Sequence, residues 1–158
     1  MNATDVQSTS PKPIETGHVG LNVSNLVRSK TFYQSVLGLE VLGESQTAGR
    51  KYLFLGNGAD LILTLWEQSD GRFEKHKPGL HHLAFRVATI RQVEEAEQRL
   101  RAMKVHFHYD GIVPQSEGAS SAGIFFEDPD GTRLEIYSPV GAGNRAAPFA
   151  DAPSCGFF

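Results

Sequence analysis

Cysteine is almost missing from this chain. Cys155 is the only one among 158 residues, so neither an internal disulfide nor a thiolate-built zinc site can form. A basic excess is missing too. Fifteen Lys and Arg against eighteen Asp and Glu leave a net charge of −3, which is not the footprint of a nucleic-acid or anionic-membrane binder. No apolar run approaches the roughly 18 residues needed to cross a bilayer. The opening stretch, MNATDVQSTSPKPIETG, has neither the basic start nor the apolar segment of a secretory signal, and a reducing cytoplasm is the expected location. What remains is ordinary: 40% hydrophobic and 21% charged residues, the composition of a soluble globular protein. The length suits one domain, or two very small modules sharing a core.

Residues 1–15 are polar, carry Pro11 and Pro13, and read as a flexible tail. GHVGLNVSN then reads as a strand, with Ser24 or Asn25 placed to cap a helix over LVRSKTFYQSVLG. LEVLGESQ, GRKYLFLGN and ADLILTLWE follow as three strands separated by glycine-containing turns. Residues 68–79 form a polar linker. The order then repeats. LHHLAFRVA is a strand and TIRQVEEAEQRLRAMKV an amphipathic helix, and VHFHYDGIV, AGIFFEDPDG and TRLEIYSP give three more strands. The stretch from 140 to 158 is rich in Gly, Ala and Pro, and shows no periodicity before its aromatic end.

The repeat is the main organising feature. GHVGLNV and HHLAFRV share His-x-(Gly/Ala)-apolar-x-Val, which sets His18 and His82 in equivalent places 64 residues apart. Alternation along a strand gives His18, Gly20 and Asn22 one face, and His82, Ala84 and Arg86 the matching face. The small residue two places after each His leaves room for a ligand. In the last strand Arg133, Glu135 and Tyr137 share a face. Two imidazoles and a carboxylate suit Fe(II), Mn(II), Zn(II), Co(II) or Ni(II) and leave coordination positions open. Residue types alone do not distinguish Glu135 from Glu127.

GHVGLNVSNLVRSKTFYQSVLGLEV together with EDPDGTRLEIYSP resembles the vicinal-oxygen-chelate superfamily, over roughly residues 16–139. That group includes glyoxalase I, fosfomycin-resistance thiol transferases, extradiol dioxygenases and metal-free drug-binding proteins. The resemblance implies an α+β fold of two paired βαβββ modules, residues 16–67 and 80–139, in a curved mixed sheet around a metal site. It implies His18, His82 and Glu135 as ligands, a small-molecule substrate and a homodimer. The chain also departs from its relatives. Where glyoxalase I carries a fourth ligand, this sequence has Leu61, Ile62 and Leu63, and Glu67 falls late in the strand. Extradiol dioxygenases usually place Tyr where Phe125 stands. Ser116-Glu117-Gly118-Ala119-Ser120 matches the potassium loop of the fosfomycin transferases, but Gly20 replaces their Thr. With three ligands the reading leans to an Fe(II) ring-cleaving dioxygenase. A fosfomycin-type transferase or glyoxalase-like lyase is close behind, and a metal-free binding protein is the rival from another class.

Further candidates follow from position. Tyr137 and His108 are candidate proton donors or acceptors near the metal. Arg86, Asn22, Trp66 and Thr64 are candidate substrate contacts on the inner faces. Cys155 reads as a free thiol without a function.

Overall fold

The computed structural model describes residues 13–158, so most of the polar tail expected at 1–15 lies outside the described residues. The first module runs β1 (Val19–Val23), α1 (Leu26–Leu37), β2 (Glu40–Ser45), β3 (Tyr52–Asn57) and β4 (Asp60–Glu67). The second runs β5 (Leu83–Arg86), α2 (Ile90–Ala102), β6 (Val113–Pro114), β7 (Ala122–Glu127) and β8 (Arg133–Ser138). The sheets have the same topology, β1-β4-β3-β2 and β5-β8-β7-β6, each with one parallel pair at the crossover. The α+β architecture of two βαβββ modules is therefore present.

Local chemistry explains the helices. Asn25 caps α1, its side chain accepting from the Arg28 amide at 2.9 Å, and Gly38 ends the helix at φ 66°, a conformation that only glycine adopts without cost. Thr89 and Gln92 form a reciprocal capping box at the start of α2. One expected element differs. Residues 105–113 do not make a full strand: a single bridge joins Phe107 to Phe126, and pairing resumes at Val113. Lys104 at φ 57° and Gly111 at φ 85° bend the chain at both ends of that stretch and prevent a continuous ladder.

Each sheet turns one face inward. Leu21, Val23, Leu53, Leu55, Leu63 and Leu65 of the first, and Ile124, Phe126, Leu134 and Ile136 of the second, join both helices in one core. Each such side chain stabilises the fold by about 1.5–3 kcal/mol when fully buried. Among the described residues no ladder connects the two sheets, and the modules are held together through this core. The Asp-Pro-Asp-Gly turn after β7 adds polar ties. Asp128 accepts from the buried Tyr33 hydroxyl of α1 at 2.8 Å, and Asp130 accepts from the Ser24 amide at 2.9 Å and pairs with Arg28 at 2.5 Å. Asp128 also accepts from the amides of Asp130 and Thr132, which shapes the turn.

Residues 140–158 fold back onto the second module. The Ser154 amide and hydroxyl donate to the carbonyls of Gln115 (2.8 Å) and Pro114 (2.6 Å), opening a short 3-10 helix over Ser154–Gly156. The chain then delivers Phe158, 9% exposed, onto the outer face of the second sheet. No helix of the described residues is long and apolar enough to cross a membrane.

Candidate metal centre

The register of the two crossovers fixes which residues correspond. Gly20 pairs with Thr64 in the first sheet, and Ala84 with Glu135 in the second. His18 and His82 stand two residues before those small residues, so both histidines, with Asn22, Thr64, Trp66 and Arg86, belong by parity to the outer, helix-free faces rather than the inner faces expected from the sequence, which the apolar core occupies. Thr64 is therefore the positional counterpart of Glu135. The place where a fourth carboxylate is sought is Thr64 rather than Leu61–Leu63. Glu67 is otherwise engaged: it accepts from the Leu26 amide at 2.8 Å and from Lys51 at 2.6 Å.

The second face assembles donors. Glu135 is 2% exposed, and one of its oxygens lies 3.3 Å from His82 Nε2. The other accepts from the Gln115 side-chain amide. The Nδ1 atoms of His81 and His82 approach to 2.8 Å, so one tautomer donates to the other. Arg133, nearly buried, donates Nε to the His81 carbonyl at 2.9 Å and Nη1 to the Phe158 carbonyl. Burial, with the charges of Arg133 and His82 close by, pushes the His81 imidazole below its ordinary value. Ring walls surround these groups. The Phe158 ring lies 5.4 Å from His82, 4.8 Å from Phe125 and 5.3 Å beneath the Arg133 guanidinium. Tyr109 packs edge-on against Phe125 and donates to the Ser154 carbonyl at 2.8 Å. Burial pushes the Cys155 thiol up, and the nearby Glu135 charge adds to that.

The first face carries one imidazole and a cluster of rings. His18 is exposed just before β1, and no side-chain hydrogen bond or ion pair engages it among the described residues. Trp66 donates to Thr64 at 3.1 Å and packs with Tyr52 and Phe54, and Asn22 stands exposed opposite it in the parallel pair.

The structure thus brings His82 and Glu135 together and leaves His18 outside their contact within one chain. Tyr137 shares the face of Glu135, opposite Gly123. A β-carbon on Gly123 would fall 2.8 Å from that of Tyr137, so glycine makes room for the tyrosine. Arg86 is exposed and lines a separate cleft of about 360 Å³ with Gln92, Glu95 and Arg99, where His82 is not found. His108 stands against Glu127 rather than Glu135, 3.3 Å from it. Gln115, Arg133 and Phe158 were not among the residues singled out from the sequence. Arg133 could have been found from its shared parity with Glu135. Gln115 and Phe158 arrive from irregular segments that carry no periodic signal.

The chemistry of the donor set fits a divalent ion. Glu135 is a buried carboxylate whose partners are one amide and one imidazole, with no Lys or Arg within 4 Å of it among the described residues.

Comparison with known proteins agrees with this fold. The sequence profile of the Glyoxalase/Bleomycin resistance protein/Dioxygenase superfamily matches residues 16–136. The chain is 28% identical over 120 residues to a trivalent organoarsenical cleaving enzyme of Bacillus sp., covering 76% of this chain and 70% of that one. It is 33% identical over 121 residues to the glutathione transferase FosA of Serratia marcescens, covering 76% and 77%. To the catechol-2,3-dioxygenase of Bacillus subtilis it is 26% identical, over 77% of this chain and 40% of that longer protein. Among solved structures, a glyoxylase/bleomycin resistance protein/dioxygenase domain from Frankia superposes with a TM-score of 0.68 at 23% identity, covering 80% of this chain and 98% of that one. The fosfomycin resistance protein FosX from Listeria monocytogenes, complexed with Mn(II) and sulfate, superposes with a TM-score of 0.61 at 19% identity, covering 80% and 93%. With the matching profile covering most of its length, this chain belongs to the glyoxalase/bleomycin resistance protein/dioxygenase superfamily.

Proposed function

We propose that this protein is a divalent-metal-dependent enzyme acting on a small molecule that binds the ion through oxygen atoms. His82 and Glu135 hold the ion from the second sheet, and His18 of a second copy supplies the third ligand. The observation that carries this reading is the split itself. One chain buries a carboxylate beside an imidazole on one face and presents, at the equivalent place on the other, an imidazole with no partner among the described residues. Pairing two copies face to face unites the halves in a homodimer. When bound, the ion acts as a Lewis acid that lowers the charge cost of an enolate or phenolate.

The chain's own residues set the rest. Gln115 fixes the Glu135 carboxylate, and His81 orients the His82 ring through their Nδ1 contact. The rings of Phe125, Tyr109 and Phe158 exclude water around the pair and favour a flat aromatic substrate. Trp66, Thr64 and Asn22 of the opposing copy would line the other wall. Tyr137, beyond Glu135 on the same face, is placed to exchange a proton with substrate, whereas Arg86 and His108 have other surroundings. The aromatic lining supports ring-cleaving dioxygenase chemistry with Fe(II), over Mn(II), Zn(II), Ni(II) or Co(II), in the cytoplasm. A fosfomycin-type thiol transferase is the second reading. It is supported by the Ser116–Ser120 loop, where Ala119 donates to Ser116 at 3.0 Å and Gly118 adopts φ 72°.

Oxygen uptake on a catechol panel with Fe(II)-loaded protein, run beside glutathione conjugation of fosfomycin with Mn(II)-loaded protein, tests the two. Uptake without conjugation supports the first, and conjugation without uptake replaces it with the second. Absence of stoichiometric metal after adding each ion would sink both.

A further inference from the structure

We infer that His106, His108 and Glu127 form a second divalent-metal site, separate from the His82–Glu135 pair. One ligand atom from each of the three lies within 4.8 Å of the others, a grouping distinct from the residues of the proposed active site. First-row ions with bonds near 2.0–2.2 Å hold neighbouring ligand atoms about 3–4 Å apart, so the cluster closes on an ion with small side-chain rotations.

The backbone prepares this arrangement. The Phe107–Phe126 bridge turns both phenylalanines into the core, so His106 and His108, either side of Phe107, emerge together on the outer face. Two main-chain hydrogen bonds fix the strands at that point: His108 N–H donates to the Phe125 carbonyl at 2.9 Å, and Glu127 N–H to the His106 carbonyl at 3.2 Å. The imidazoles stand 5.1 Å apart, centre to centre, and nearly perpendicular. The ligands thus come from β7 and the segment bridged to it at Phe107, and little ordering remains to be done when an ion binds.

The donors are also uncommitted. His108 Nε2 is buried and makes no hydrogen bond, although Glu127 Oε1 is only 3.3 Å away. The pair is close without the alignment that a hydrogen bond needs, and an unsatisfied buried nitrogen is costly unless something occupies that space. Among the described residues the other Glu127 oxygen has only Arg72 at 3.7 Å, on a side chain that is 70% exposed, which is a weak competitor. Two imidazoles and one carboxylate select zinc, cobalt or nickel over magnesium or calcium. His106 and Glu127 border a cavity of about 520 Å³ that Lys104 and Arg28 also line, so open coordination positions face solvent and would accept water or an anion. The Phe158 ring packs against both centres, 5.0 Å from His108 and 5.4 Å from His82.

The test is equilibrium dialysis of the full chain, stripped with chelator, against Co(II) or Zn(II), with metal counted per chain and the visible Co(II) bands recorded. The variant His82→Ala/Glu135→Gln removes the active-site donors and should still bind one ion per chain, with Co(II) bands present. Adding His106→Ala and His108→Ala should abolish that ion and its bands. Glu127→Gln, which keeps side-chain shape and needs no repacking, should weaken binding at least 10-fold in the same background. If His82→Ala/Glu135→Gln binds no ion, or binds one that survives all three changes at the cluster, the inference is wrong. Failure of the active-site reading shows differently: the wild type would bind one ion, lost on cluster substitution and indifferent to His82→Ala/Glu135→Gln.

Discussion

The two outer faces of this molecule are built on the same backbone and carry different chemistry. At corresponding places stand His18 and His82, Gly20 and Ala84, Phe54 and Phe125, and Thr64 and Glu135. The first face keeps the imidazole and the ring but has a hydroxyl where the second has a buried carboxylate. Tyr52 and Trp66 fill the first face with rings, whereas Gly123 and Tyr137 occupy those places in the second. Repetition of a fold thus preserves geometry while a few positions divide the work. Under the proposed reading, one face would supply two of the metal donors, and the other apolar walls and a single ligand.

Breaking the donor side should have the largest effect. His82→Ala is expected to lower affinity at the active site by more than 100-fold, since loss of mere supporting residues around a metal already costs about 10–100-fold. His18→Ala should do the same if the site is shared between copies. Mixing the two inactive variants and letting subunits exchange should restore activity to about a quarter of wild type, because half the dimers would hold one intact site of two. No recovery, with exchange verified by mass spectrometry, would show that the faces do not complete one another.

Next come the inward faces, where the modules should behave alike. Leu55 and Phe126 are counterparts and both are fully buried. Leu55→Ala should cost about 2–5 kcal/mol and Phe126→Ala about 3–5 kcal/mol, read as lowered denaturant midpoints. Each should leave a single transition, because the core is common to both modules. Gly123→Ala comes third. Its new methyl would meet the Ile136 carbonyl at 2.6 Å, and a loss of about 1–3 kcal/mol is expected in the same measurement.

The smallest effect concerns Glu67. Its carboxyl is held below its ordinary value, chiefly by the Lys51 hydrogen bond and then by the Leu26 amide. A depressed carboxyl adds stability above its unfolded value and loses it as pH falls through the folded one. Melting temperature recorded from pH 7 to pH 3 should therefore fall slightly less for Glu67→Gln than for wild type. An unchanged slope would show that the contact contributes nothing.

Much of this was legible in the sequence because it is periodic. The repeated His-x-(Gly/Ala)-apolar-x-Val placed β1 and β5, Asn25 is one of the two caps expected for the first helix, and strand alternation grouped His82 with Ala84 and Glu135 with Tyr137. What escaped notice depends on the third dimension. Strand register was needed to show that Thr64, not Leu61–Leu63, is the counterpart of Glu135. The turns at Lys104 and Gly111 broke a strand whose alternation looked complete. Gln115 and Phe158 reach the site from segments with no period. His106 and His108 stand two residues apart in the sequence, but their meeting with Glu127 required the Phe107–Phe126 bridge.

The turn at Asp128–Gly131 has a consequence for how two copies can associate. It ties the first helix to the second module through Tyr33, Ser24 and Arg28, across the connector at 68–79. Exchanging a module between copies would require that connector to open, those hydrogen bonds to break and the common core to come apart. Docking of intact chains through their outer faces requires none of this. If two copies pair as proposed, docking of their surfaces leaves these contacts intact, and a dimer formed that way should dissociate on dilution without unfolding.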